Sequence, residues 1–164
     1  MKKYHTQMEA AKLGIVTPEM EIVAKKEYMD TEELRALVAK GEVAIPCNVL
    51  HTAISPEGIG TKMRTKINVN LGISGDAKNY DLEMEKVAVS HKFGAEAIMD
   101  LSNYGKTNVF RRQLVETSPA MIGTVPMYDA IGYLEKDLLD IMEDLMEIFI
   151  LVLLDLLELG NLHL

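Results

Sequence analysis

Polar residues suited to binding recur at the ends of three short apolar runs. Asn68 and Asn70 close TKINVN, Asp100 and Ser102 close AIMDLS, and Thr124 and Tyr128 end or follow AMIGTVP. An amide offers both a donor and acceptors, a carboxylate offers acceptors, and tyrosine joins an aromatic body to a directed hydroxyl. Such a set suits a small polar ligand. The same residue types also cap helices and close turns, so each one taken alone reads at least as well as a cap. Their recurrence over three successive units is what suggests a shared rim. A second group lies in VAIPCNVLH, where Cys47 and His51 stand four residues apart. A nucleophile or metal pair is conceivable there, but the intervening Pro46 and Asn48 read as a loop.

Rim residues need elements that deliver them to one place. From Thr65 onward the chain alternates strand-like and helix-like stretches: TKINVN at 65–70, a helix near 80–93 with Leu82, Val87 and Phe93 on its apolar side and Gly94 as its stop, AIMDLS at 97–102, a helix to about Thr117, AMIGTVP, and a helix beginning near Tyr128. Short apolar strands each followed by a helix are the grammar of parallel βα units. In such folds ligands sit at the carboxyl ends of the strands. Before this repeat, Thr17 is placed to cap a helix with Pro18 at its first position. TEELRALVAKG then reads as a helix from Thr31 as cap to Gly41 as stop, with Leu34, Leu37 and Val38 on one face. The expected organisation is an N-terminal helical and extended region (1–60), the first βα units (61–147) and an atypical leucine-rich tail (148–164).

Composition narrows the partners. With 164 residues the chain is one domain's length, and its net charge of −8 argues against a polyanion surface. Cys47 is the only cysteine, so no disulfide framework and no thiolate-held metal cluster is expected, and the chain reads as cytoplasmic. The run IFILVLL at 148–154 is bounded by Glu147 and Asp155, well short of the roughly 20 apolar residues of a membrane span. Neither nucleic acid nor a membrane is an expected partner. Residues 136–147 suit an amphipathic helix with Leu138, Ile141, Met142 and Leu145 inward; beyond them, strand and helix remain open.

Five blocks carry a further signal: TQMEAAKLGIVTPEMEIVA (6–24), VAKGEVAIPCNVLH (38–51), TKINVNLG (65–72), GAEAIMDLS (94–102) and SPAMIGTVPMYDAI (118–131). In order and spacing they resemble the family of phosphomethylpyrimidine synthase and 5-hydroxybenzimidazole synthase, over roughly residues 4–145. The resemblance implies a radical S-adenosylmethionine lyase on a (β/α)8 barrel that rearranges 5-aminoimidazole ribotide, with a [4Fe-4S] cluster, S-adenosylmethionine and zinc in the complete enzyme. It also implies that Asn70, Met99 and Tyr128 line the ribotide site, with Asn48, His51, Asn68 and Ser102 as accessory candidates. The expected fold class is therefore α/β, an incomplete (β/α)8 barrel of three to four βα units behind a small N-terminal region. An unclosed sheet needs cover from a second copy or a complementary C-terminal polypeptide.

The departures from the family pattern are equally specific. Ile73-Ser74 replaces the Asn-Ser pair of the pyrimidine synthases, and SNYGKTNVFRRQLVE differs from their STGKNIHETRE wording, which leans toward the hydroxybenzimidazole branch. The family's C-terminal CxxCxxxxC segment is not in this sequence. His5, His51, His91 and His163 match none of its zinc-ligand contexts. The expectation is a truncated or frameshifted piece of the lyase, inactive alone. The alternatives are a ribotide-binding scaffold and one half of a split enzyme.

Overall fold

Helices in the first part of the chain begin where side-chain oxygens take up free amides. The computed structural model describes residues 4–105 and 107–128. Thr6 caps α1 (Gln7–Lys12), and Thr17 accepts from the Met20 amide at the start of α2 (Pro18–Lys26), with Pro18 at the first position as the sequence predicts. The cap of α3 (Thr31–Lys40) is Asp30 and not Thr31. Asp30 Oδ1 accepts from the Glu32 and Glu33 amides, both at 3.0 Å. An ionised carboxylate outcompetes a hydroxyl when two amides are to be held at once. Gly41 ends the helix with φ 77°, the left-handed cap that glycine supplies without strain. Leu34, Leu37 and Val38 join Met20, Val23 and Val43 in one core. A short antiparallel pair, β1 (Val43–Ala44) with β2 (Ile59–Gly60), closes this unit.

The second unit is a three-stranded parallel sheet in chain order, β3 (Asn68–Leu71), β4 (Ala97–Asp100) and β5 (Met121–Thr124). Helix α4 (Tyr80–Lys92) connects the first two strands and α5 (Asn108–Thr117) the last two. This is the βα repeat read from the sequence, with strand β3 shorter and shifted relative to 65–70. Register places Val69, Ile98 and Ile122 in one cross-strand row. They pack with Leu71, Val87, Phe110 and Leu114 as the core between sheet and helices.

Helix α4 departs from its expected apolar side. Val87 is buried, but Leu82 is half exposed and Phe93 is 81% exposed. Its sheet-facing positions are Glu83, Val87 and Ser90, a helical spacing in which polar residues take places that a count of apolar ones assigns elsewhere. Glu83 is worth burying there because its carboxylate accepts from the Gly72 amide at 3.3 Å and pairs with Lys86 at 2.5 Å. The continuation of the helix near Tyr128, the 136–147 helix and the leucine-rich tail lie outside the described residues. Among the described residues no helix is long and apolar enough to cross a membrane.

A charge cluster at the amino ends of β3 and β4 joins the two units. Lys66 pairs with Glu27 at 2.5 Å, their side chains only 7% and 3% exposed. Arg64 reaches Glu96 at 2.6 Å and Glu57 at 3.2 Å, and Lys26 pairs with Glu57 at 2.6 Å. The cluster's three cations and three carboxylates balance, which is what makes the burial of Lys66, Glu27 and Glu57 tolerable. Burial pushes the Glu27 carboxyl up, but the Arg64 amide and the Lys66 ammonium outweigh it and hold the group below its ordinary value. Glu96 behaves alike: burial raises it, and the Ile67 amide and Arg64 bring it below the usual range.

Two outcomes follow from this joint. Glu27→Gln leaves the buried Lys66 only its longer contact with Glu57, at 4.0 Å, and should cost about 3 kcal/mol in urea denaturation, whereas Glu33→Gln, which breaks only the exposed Lys62 pair, should leave the midpoint in place. Both lowered carboxyls stabilise the fold fully above their ordinary value of 4.5. That stability is lost as pH falls through the lower folded values. A pH series of denaturation curves should therefore show a drop on the acid side of 4.5 that shrinks in the Glu27→Gln variant.

Candidate functional site

Strand alternation sorts the rim residues onto two faces. The row Asn70, Met99, Gly123 and the row Asn68, Ala97, Met121 lie on the face away from the helices. Asp100 and Thr124 share a row with Leu71 on the helix-covered face. Two of the three residues expected at the ribotide site, Asn70 and Met99, are thus direct cross-strand neighbours. Asn68 Nδ2 donates to Asn70 Oδ1 at 3.0 Å, which occupies Asn70's carbonyl and leaves its own N–H groups for an incoming acceptor. Met99 is only partly buried and stands apart from the apolar core between sheet and helices. Tyr128 follows β5 by four residues and is 37% exposed, its amide bonded to the Val125 carbonyl at 2.9 Å.

Asp100 and Ser102 build the rim from behind. Asp100 is 1% exposed, accepts from the Ser102 amide at 3.0 Å and from the Ser102 hydroxyl, and receives Arg111 Nη2 from α5 at 3.2 Å. The Ser102 hydroxyl in turn accepts from the Ile73 amide at 3.0 Å. The loop after β4 is thereby laced to the loop after β3. Gly72 permits the approach: at φ 148° a Cβ there would lie 2.5 Å from the Ser102 amide nitrogen and 2.8 Å from the Leu101 carbonyl carbon. Both are backbone atoms of a laced loop. Sequence reasoning passed over Gly72, although a glycine directly after a strand is the ordinary signal of close backbone approach.

Asn48 and His51 lie elsewhere. Asn48 Oδ1 accepts from the Leu50 amide at 2.9 Å, a local turn. His51 is 3% exposed, with Nε2 2.6 Å from the Ser118 carbonyl. A carbonyl can only accept, so Nε2 carries the hydrogen. Ser118 precedes β5, which puts His51 at the amino end of the sheet, opposite the rim. His91 meets the same serine, with Nε2 2.9 Å from its hydroxyl, and burial pushes this imidazole below its ordinary value. The His51 bond and the Ser55 amide on the Pro119 carbonyl at 2.9 Å fasten the N-terminal unit to the α5–β5 corner, and the His91 bond ties α4 to the same corner. Cys47, Asn48 and His51 border a cleft of about 1020 Å³ within the N-terminal unit, lined also by Met8, Ile22 and Val49. Among the described residues no group of three or more histidine, cysteine, aspartate or glutamate side chains is arranged to hold a metal ion.

Residues 6–153 match the model of the radical SAM ThiC family. The chain belongs to that family. Among its ThiC-family relatives, phosphomethylpyrimidine synthase of Clostridioides difficile (strain 630) is 62% identical over 141 residues, covering 86% of this chain and 33% of the relative. The enzyme of the same name from Clostridium novyi (strain NT) is 64% identical over 138 residues, 84% of this chain and 32% of its own length. That of Alkaliphilus oremlandii (strain OhILAs) is 60% identical over 141 residues. The chain therefore spans about a third of the length of the ThiC-family synthases it matches.

The laced rim generates a stability outcome. Gly72→Ala combines a conformation open essentially to glycine with a collision against backbone, and should cost at least about 3 kcal/mol. Loss of more than half of the thermal unfolding enthalpy or a steep fall in midpoint would register it. An unchanged midpoint would mean that the two loops are not in this contact.

Proposed function

We propose that this chain provides the first part of the substrate site of a radical S-adenosylmethionine carbon–carbon lyase that rearranges 5-aminoimidazole ribotide. The observation that carries the reading is the cross-strand row of Asn70, Met99 and Gly123 on the helix-free face of a parallel sheet. Family membership and the name shared by the relatives support it. In this reading residues 61–147 are the opening units of a (β/α)8 barrel, the helix-free face is the barrel interior, and residues 1–60 brace the amino ends of its strands. The chain works in the cytoplasm.

Each site residue has a distinct task. Asn70 donates its free amide hydrogens to a lone pair on the heterocycle or ribose, Met99 lays a polarisable thioether against the ring, and Tyr128 adds an aromatic edge and a hydroxyl. Asn68 orients Asn70, and Ser102 acts through the Asp100 lacing that sets the rim. Asn48 and His51 serve the N-terminal unit and its docking, away from the ribotide.

The cluster implied by the family does not fit the residues of this chain. A [4Fe-4S] centre that keeps one iron open for its cosubstrate needs three thiolates, and the sequence holds one cysteine, Cys47. Cluster, cosubstrate and zinc belong, in this reading, to the two thirds of the synthases' length that this chain does not span, which a complementary polypeptide would supply. The names of the relatives favour hydroxymethylpyrimidine phosphate as the product over a hydroxybenzimidazole. Ile73, which leaned the other way, is 1% exposed, so its substitution bears on packing under the rim.

Calorimetric titration of 5-aminoimidazole ribotide into the full chain tests the reading. Saturable binding is expected, weakened about three- to tenfold by Asn70→Ala, the worth of one hydrogen bond. No binding, or equal affinity in the variant, would overturn it.

A further inference from the structure

Gly123 has no conformational reason to be glycine. It lies inside β5, where its φ is outside the positive range that favours glycine, and a strand interior is a place where glycine weakens the sheet. A Cβ built at this position would meet Met99 Cε at 2.8 Å and Met99 Sδ at 2.9 Å, and no other atom within 4 Å among the described residues beyond its chain neighbours. Gly72 differs in kind, because the atoms crowding it are backbone. The atoms crowding Gly123 are the free end of one flexible side chain.

We infer that Gly123 is a positioning residue: its missing side chain is a notch in which the Met99 thioether lies across β5, low against the sheet and beside Asn70. The inference rests on the ribotide reading of this face and sharpens it. A thioether laid flat on one strand presents a polarisable, unbranched surface parallel to the sheet, which fits a planar nitrogen heterocycle stacked over it. Asn70, one strand away in the same row, then meets an acceptor on the ring's edge. Any larger residue at 123 lifts the thioether into the space the ring would occupy. The notch therefore favours a flat ring lying over the thioether, as the imidazole of the ribotide would in the proposed reading.

The experiment uses the full chain as wild type, Gly123→Ala, Met99→Ala and the double variant. Two readouts are taken: the 13C methyl signal of Met99 without ligand, and the affinity for 5-aminoimidazole ribotide. In Gly123→Ala the methyl signal should move while the thermal midpoint stays near that of the wild type, because only a side-chain end has to shift. Ribotide affinity should fall about three- to tenfold, the size of one sulfur–ring contact. In the Met99→Ala background the added Gly123→Ala should change affinity no further, since no thioether remains to be displaced. An unmoved methyl signal, or affinity losses that simply multiply in the double variant, would overturn the inference. If the wild type fails to bind ribotide, the substrate reading falls on its own, and the methyl signal still decides whether Gly123 makes the notch.

Discussion

Everything in the described fold leans on the neutral charge cluster at the amino ends of β3 and β4. Lys66 and Glu27 are nearly buried together, and neither could stay there alone, because an unpaired charge in that setting costs several kcal/mol. The pairing commits the end of α2, the loop carrying Glu57 and the entrance to two strands to one arrangement. Arg64 is the hinge pin: its side chain reaches Glu96 and Glu57, and its backbone amide donates to Glu27 at 2.9 Å. The cluster says little about net stability, since apolar side chains of equal volume could serve as well. It says a great deal about register, because a slipped strand would leave charges without partners.

With the amino ends committed, the sheet divides its labour by end and by face. Amino ends carry ion pairs and the bonds from His51 and His91 to Ser118; carboxyl ends carry two loops laced through Asp100, Ser102 and Gly72. The helix-covered face is apolar apart from Asp100 and Thr124, and the opposite face presents Asn68, Asn70 and Met99. Rigidity behind a polar face is what a binding site requires, since a side chain held within a few tenths of an ångström pays its ordering cost before the ligand arrives. The hydrogen bond from Asn68 to Asn70 extends that economy to the orientation of a single amide.

Much of this was legible from residue order. The βα alternation, the Thr17-Pro18 start, the Gly41 stop and the apolar face of α3 follow local rules that tertiary contacts reinforced. The sequence also brought forward Asn70 and Met99, through the family blocks, and strand period then put both on one face. Most of the rest depended on partners far along the chain, the Asp30 cap being the local exception. Asp30 displaced Thr31 as a cap because a carboxylate holds two amides. Glu83 displaced Leu82 and Phe93 on the inner side of α4 because the Gly72 amide needed an acceptor. His51 looked like a companion to Cys47, but a carbonyl 67 residues away claims its ring nitrogen. The ion-pair cluster itself joins residues from 26 to 96 that no short window contains. Gly72 and Gly123 look alike in the sequence, and only their neighbours distinguish a backbone crossing from a notch for one side chain.

In the proposed reading the Asn70–Met99 face, and not the cleft beside Cys47 and His51, receives the ribotide. Titrating 5-aminoimidazole ribotide into the 15N-labelled full chain and mapping the perturbed amide signals tests it most directly. Perturbations concentrated at the Asn68 and Asn70 side-chain amides and at the backbone of Met99, Gly123 and Tyr128, with Cys47, Val49 and His51 unmoved, are the predicted result. Perturbations centred on the cleft, or none at millimolar ribotide, would contradict it.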